Sequence, residues 1–154
     1  AAVPWDVPPG VPAYAAAAAA LGAELTVPEL VQTVVLTRTQ ARSTAMPDTE
    51  ALARVAGIRA SLVLHLAITR VRVLAEELTA EYGADCPVAV VAFASRPNQI
   101  VLRGTLADIA DHVEGAGLKH TAVIVVGRAL GVREQPDVAC SHLYDPARER
   151  HRGE

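Results

Sequence analysis

Cysteine, lysine and long apolar runs are all scarce in this sequence. Only two cysteines occur, Cys86 and Cys140, with no CxxC and no paired histidine spacing. Neither a zinc site nor a disulfide framework is expected from them, and buried free thiols are the simplest reading. Lys119 is the single lysine among 14 basic residues, and the arginines are scattered along a chain of net charge -3. That distribution leaves no electrostatic footprint for nucleic acid or an anionic membrane. No apolar run approaches the roughly 20 residues that span a bilayer, and the chain opens without a charged and then apolar leader, so a cytoplasmic location is expected. GxSxG, the P-loop, HExxH and GxGxxG are all missing, which removes the familiar hydrolase, phosphate-loop, zinc-protease and dinucleotide signatures.

What is present describes a globular chain. Hydrophobic residues make up 51% of the 154 positions and charged ones 20%, which excludes a disordered polyelectrolyte and suffices for one domain, or one domain with a remnant of another. After Pro12, Ala13 to Leu21 has the highest helix propensity available, and Gly22 is a natural stop. Gln32 to Arg38 is β-branched and short, which predicts a strand. The polar stretch after it, 39–47, is the best linker. Asp48 is placed to cap a helix running to about Val55.

Ser61 to Ile68 is continuously apolar, as in a strand buried on both faces. From Thr69, residues Val71, Leu74 and Leu78 recur at helical spacing until Tyr82 and Gly83. Pro87 to Phe93 is another buried strand, and Gln99 to Gly104 alternates as its antiparallel or edge partner across Ser95 to Asn98. Thr105 and Asp108 resemble a capping box for a helix with Leu106, Ile109 and Val113 inward, ending at Gly115 or Gly117. Ala122 to Gly127 is the last strand. The alternation predicts an α/β domain with a mixed sheet from about Thr39 to Tyr144.

No motif marks the chemistry. His65 is the one ionisable group inside a predicted buried strand, and a histidine satisfied within the core is the simplest account of it. His142 beside Cys140 has metal-ligand types but no third ligand nearby, so no metal is expected. Arg38, Arg42, Arg96 and Arg103 fall at strand ends or in loops, where open α/β sheets receive ligands, and guanidinium groups suit carboxylates. Each is equally an ordinary surface arginine.

Five stretches carry a resemblance: "DVPPGVPAYAAAAAALGAELTVPELVQTVVLTR", "AMPDTEAL", "LVLHLAI", "YGADCPVAVVAFASRPNQIVLRGTLADIA" and "TAVIVVGRALG". Together, from about Asp6 to Tyr144, they resemble the second half of the tetrapyrrole methylases, and within that family the branch that methylates precorrin-4 at C-11 on the way to cobalamin. Members have two α/β domains, bind S-adenosylmethionine between them, release S-adenosylhomocysteine, and commonly form homodimers. The resemblance implies that 1–38 is the end of a first domain, 39–47 a linker, 48–145 the second α/β domain and 146–154 a tail. The family's early glycine-rich loop and DGDP loop have no counterpart here, so the chain reads as part of a longer enzyme.

The resemblance also implies cofactor contacts at Pro12, Ala13, Leu66, Ala94 and Ala122. Arg38 and Arg96 are expected to meet the carboxylates of a precorrin-type tetrapyrrole. No catalytic acid or base is implied. The alternatives are action at another tetrapyrrole carbon, or a structural or dimerisation fragment without activity of its own.

Overall fold

The structure is a computed structural model that describes residues 3–39 and 45–134. Arg42, Cys140 and His142, together with the tail, lie outside the described residues. Among the described residues, four α-helices and five strands build one sheet with helices on both faces: α1 Ala13–Leu21, β1 Val34–Arg38, α2 Leu52–Ala56, β2 Ser61–His65, α3 Val71–Tyr82, β3 Pro87–Ala92, β4 Ile100–Thr105, α4 Ile109–Gly115 and β5 Ala122–Val126.

The strand order is β1-β2-β5-β3-β4. β1 and β2 are parallel, with Val34 opposite Ser61 and Arg38 opposite His65. β5 lies antiparallel between β2 and β3, and β3–β4 is the expected hairpin, Ala92 opposite Ile100. The carboxyl ends of β1, β2 and β3 and the amino end of β5 therefore share one edge of the sheet. β1, grouped from the sequence with the first domain, is hydrogen-bonded into the same sheet as everything after it.

The period-two alternation of a strand sends successive side chains to opposite faces. On one face Leu62, Leu64, Val88, Val90, Ile124 and Val126 meet α2, α3 and α4. The α3 stripe is wholly buried at Val71, Leu74, Ala75, Leu78 and Tyr82, and the helix ends at Gly83, whose φ of 84° suits glycine. Cys86 is buried in this layer, as read from the sequence, and burial pushes its thiol up to about 11. On the other face Val63, Ala89, Val91, Val123 and Val125 pack against Ala17 and Leu21 of α1. Small alanine side chains let that helix lie close to the strands, where each buried Val or Leu side chain is worth about 1.5–3 kcal/mol. Its end is a Schellman closure: the Gly22 N–H donates to Ala19 and the Ala23 N–H to Ala18, with Gly22 at φ 59°.

Two local expectations need correction. Asp48 does not cap a helix. Residues Asp48–Glu50 form a single 3-10 turn, and Ala51 returns to extended backbone before α2 begins. β2 stops at His65 rather than Ile68, because Leu66 turns left-handed and Ile68–Arg70 forms another 3-10 turn into α3. At α4 the return half of the expected box forms, the Thr105 N–H donating to the Asp108 carboxylate at 2.7 Å. Among the described residues no helix is long and apolar enough to cross a membrane.

Candidate functional site

The shared sheet edge opens into a cleft of about 690 Å³. Its floor is apolar, with Val91 and Val123 at the strand ends and Ala94 and Ala122 just beyond or at them. The amino end of α1 closes one side with Ala13 and Ala16. α1 starts without a side-chain cap, so the first N–H groups of the helix, which never have partners inside it, stand at the cleft.

Backbone conformation marks the same place. Leu66 (φ 55°), Phe93 (φ 52°), Ser95 (φ 64°) and Thr121 (φ 55°) are left-handed without being glycine, and all four line the cleft. Such positions cost roughly 1–2 kcal/mol each for ordinary side chains, and for a β-branched threonine they are rare. Leu66 follows β2, Phe93 follows β3 and Thr121 precedes β5, so each marks the point where a strand meets the rim. The turns are tied together: the Phe93 N–H donates to the Thr121 carbonyl at 2.9 Å, the Phe93 ring meets His120 edge-on at 5.5 Å, and the Ser95 N–H donates to Gln99 Oε1 at 2.9 Å. One consequence is that Leu66 points outward and is 83% exposed, although apart from His65 it extends an apolar run.

Among the described residues no carboxylate lines this cleft, and the ionisable groups that do are His65, Arg96, Lys119 and His120. Nor do three or more His, Cys, Asp or Glu side chains come together as a metal set among the described residues.

Of the residues singled out in the sequence, Ala13, Leu66, Ala94, Ala122 and Arg96 all line this one cleft. Pro12 stands between the lining residues Val11 and Ala13 without being part of the wall. Arg38 is exposed at the end of β1, beside the cleft through its register with His65. Arg103 is elsewhere: its guanidinium donates to the Leu21 carbonyl at 2.6 Å and closes the end of α1. The core reading of His65 is also corrected. As the last residue of β2 it is half-buried and faces the cleft, whereas the four before it are buried. Sequence reasoning missed Lys119, His120, Thr121 and Phe93. Their signal is positional, since they flank the cleft-side ends of two strands already recognised.

Comparison with known proteins places this geometry. The sequence profile of the tetrapyrrole (corrin/porphyrin) methylases matches residues 1–110. A precorrin-4 C(11)-methyltransferase of Rhodococcus erythropolis is 55% identical over 150 residues, which cover 97% of this chain and 59% of that protein. A cobalt-precorrin-4 C(11)-methyltransferase of Methanocaldococcus jannaschii is 40% identical over 141 residues, 91% of this chain and 53% of that one. Among solved structures, a cobalt precorrin-4 methyltransferase, a cobalamin biosynthetic enzyme, superposes with a TM-score of 0.76 at 37% identity over 79% of this chain and 51% of the other. A uroporphyrin-III C-methyltransferase from Thermus thermophilus, complexed with S-adenosylhomocysteine, shares the fold with a TM-score of 0.63 at 24% identity, over 84% of this chain and 55% of that one. The chain thus spans less than two thirds of the length of these relatives.

Proposed function

The chain belongs to the tetrapyrrole methylase family, and from that membership we propose that it forms part of a cytoplasmic, homodimeric S-adenosylmethionine-dependent methyltransferase that methylates precorrin-4 at C-11 in cobalamin synthesis. The observation that carries this reading is the convergence of Ala13, Leu66, Ala94 and Ala122, far apart in the chain, on one cleft.

The residues fit the cofactor. A volume of about 690 Å³ lies within the range of roughly 300–1,000 Å³ typical of small-molecule sites. Ala13, Ala94 and Ala122 admit a flat apolar ring close to the backbone. The left-handed turns at Leu66 and Thr121, the latter braced by the Phe93 N–H, bring main-chain groups to the rim, where a purine edge would be met without charged side chains. S-adenosylmethionine brings its own activated methyl group on a sulfonium, so no side chain need activate the donor. The work left to this chain is orientation: the floor excludes water, and Arg96 together with Arg38 draws the carboxylates of a precorrin toward the rim. We place the boundary with the preceding domain before Val34 rather than after Arg38, because β1 pairs with β2.

Titration of this chain with S-adenosylhomocysteine, followed by calorimetry and by amide NMR, tests the proposal. Micromolar binding with shifts centred on Ala13, Leu66, Ala94 and Ala122 is expected. No heat and no shifts up to millimolar ligand, or shifts confined to another surface, overturn the assignment of this cleft.

A further inference from the structure

Three histidines lie among the described residues, and two have structural work. His112 Nδ1 is 3.1 Å from the Arg103 carbonyl, and His120 Nδ1 is 3.1 Å from Thr121 Oγ1 while its ring meets Phe93. The His65 side chain has neither a hydrogen bond nor an ion pair with any described residue, yet it ends a buried strand at the cleft wall. A polar ring placed there contributes less to packing than the valines and leucines before it, and no described residue uses it.

Its neighbour supplies the second half of the argument. β1 and β2 are parallel and Arg38 is the register partner of His65. Partnered residues on adjacent strands point to the same face, with backbones about 4.8 Å apart. Val63, two residues before His65, packs on the α1 face, as does Val34, four before Arg38, so both side chains belong to the α1 side of the sheet. Arg38 likewise forms no ion pair with a described residue. With no carboxylate among the described residues of the cleft lining, neither group has a described acidic partner there.

We propose that His65 is a substrate-recognition residue that shares one carboxylate of the substrate with Arg38, forming an anchor on the β1–β2 side of the cleft opposite Arg96 and Lys119. This rests on the methyltransferase reading and adds to it a residue and a direction. The macrocycle is held from two flanks, with the apolar floor between them, and its rotation over the cofactor is set by which side-chain carboxylate reaches the Arg38–His65 corner.

The test uses this chain with two soluble probes. Uroporphyrin III carries a carboxylate on every ring substituent except the bridges, and S-adenosylhomocysteine reports the cofactor cleft independently. The parent is expected to quench uroporphyrin fluorescence saturably and to bind coproporphyrin, which keeps half of the carboxylates, more weakly. His65→Leu and Arg38→Leu each weaken uroporphyrin binding roughly five- to tenfold, the net scale of one hydrogen bond at a solvent-exposed rim. The double variant loses less than the product of the two, because both act on one carboxylate. His65→Gln, which retains an N–H donor, recovers part of the loss. Unchanged uroporphyrin binding in His65→Leu overturns the anchor, as does strict independence of the two losses, or a parent that takes S-adenosylhomocysteine but no uroporphyrin. A parent that takes neither ligand overturns the methyltransferase reading beneath it.

Discussion

The guanidinium of Arg103 donates to the carbonyl oxygen of Leu21 at 2.6 Å, tying the edge strand β4 to the last turn of α1 across 82 residues of sequence. A cation at the carboxyl end of a helix also opposes the partial negative charge there. Arg103→Ala is expected to lower stability by about 1 kcal/mol, the worth of one charged hydrogen bond at a partly exposed site. Because α1 forms one side of the cleft, S-adenosylhomocysteine affinity should fall as well. A urea midpoint and a calorimetric titration on the same variant check both halves, and an unchanged midpoint would refute the first.

Leu64 and Leu66 are two residues apart and equally apolar, yet Leu64 is fully buried and Leu66 is 83% exposed at φ 55°. Leu64→Ala should cost about 2–5 kcal/mol through loss of packing. Leu66→Gly should leave the fold at least as stable as the parent, since relief of left-handed strain offsets the added freedom of the unfolded chain. Thermal unfolding of the pair separates the two cases.

Burial holds the Cys86 thiol up to about 11 and, with the nearby Cys86, raises the Tyr82 phenol to about 12. Both groups are neutral when protonated, so the unfolded chain releases their protons first. Stability is then full below the ordinary values of 9.0 and 10.0 and is lost as pH rises through the folded ones. Unfolding free energy should be flat from neutral pH to about pH 9 and decline above it. Cys86→Ala should remove the part of the decline between pH 9 and 11. Tyr82→Phe should remove the part above pH 10 and cost about 1 kcal/mol at neutral pH, because the Ala60 carbonyl loses the phenol that donates to it at 2.7 Å. Denaturation across a pH series reads all three.

The Thr105 N–H and the neighbouring His112 hold the Asp108 carboxyl below its usual range, with the backbone hydrogen bond the larger cause. A depressed folded pKa contributes stability above the unfolded value, lost as pH falls through the folded one. Asp108→Ala should therefore cost about 0.5 kcal/mol at neutral pH, reduced from a full cap by solvent exposure. The gap from the parent should close in acid. A gap that persists at pH 2 would show that the carboxylate charge is not its source.

Much of the architecture was legible because its signals are local. The apolar runs at 61–65, 87–92 and 122–126, the stripe through Val71, Leu74 and Leu78, and Gly22 after an alanine helix each announce one element. What could not be read depends on distant partners or on backbone angles. Leu66 continues an apolar run, and nothing in hydrophobicity says that the chain turns left-handed there. Arg103 looks like a ligand group until α1 folds back to meet it. His65 sits in a buried pattern, and only the end of the strand brings it to the wall.

The cleft itself was reachable only through resemblance. Ala13, Ala94 and Ala122 matter for what their size permits, and small size leaves no motif. Lys119 and Arg96 become neighbours of one space only when β5 slots beside β3.

That slot has a consequence for how the protein is made. Among the described residues β5 is the last strand in the sequence, yet it occupies the middle of the sheet, bonded to β2 on one side and β3 on the other. Until Ala122–Val126 leaves the ribosome, the nascent chain holds two separate ribbons, β1–β2 and β3–β4, each presenting a bare hydrophobic edge that will pair with whatever strand arrives. Completion comes by intercalation rather than by addition at a border. The growing polypeptide therefore carries two open edges until residues 122–126 are made, and a stop codon anywhere before residue 122 leaves both of them unpaired.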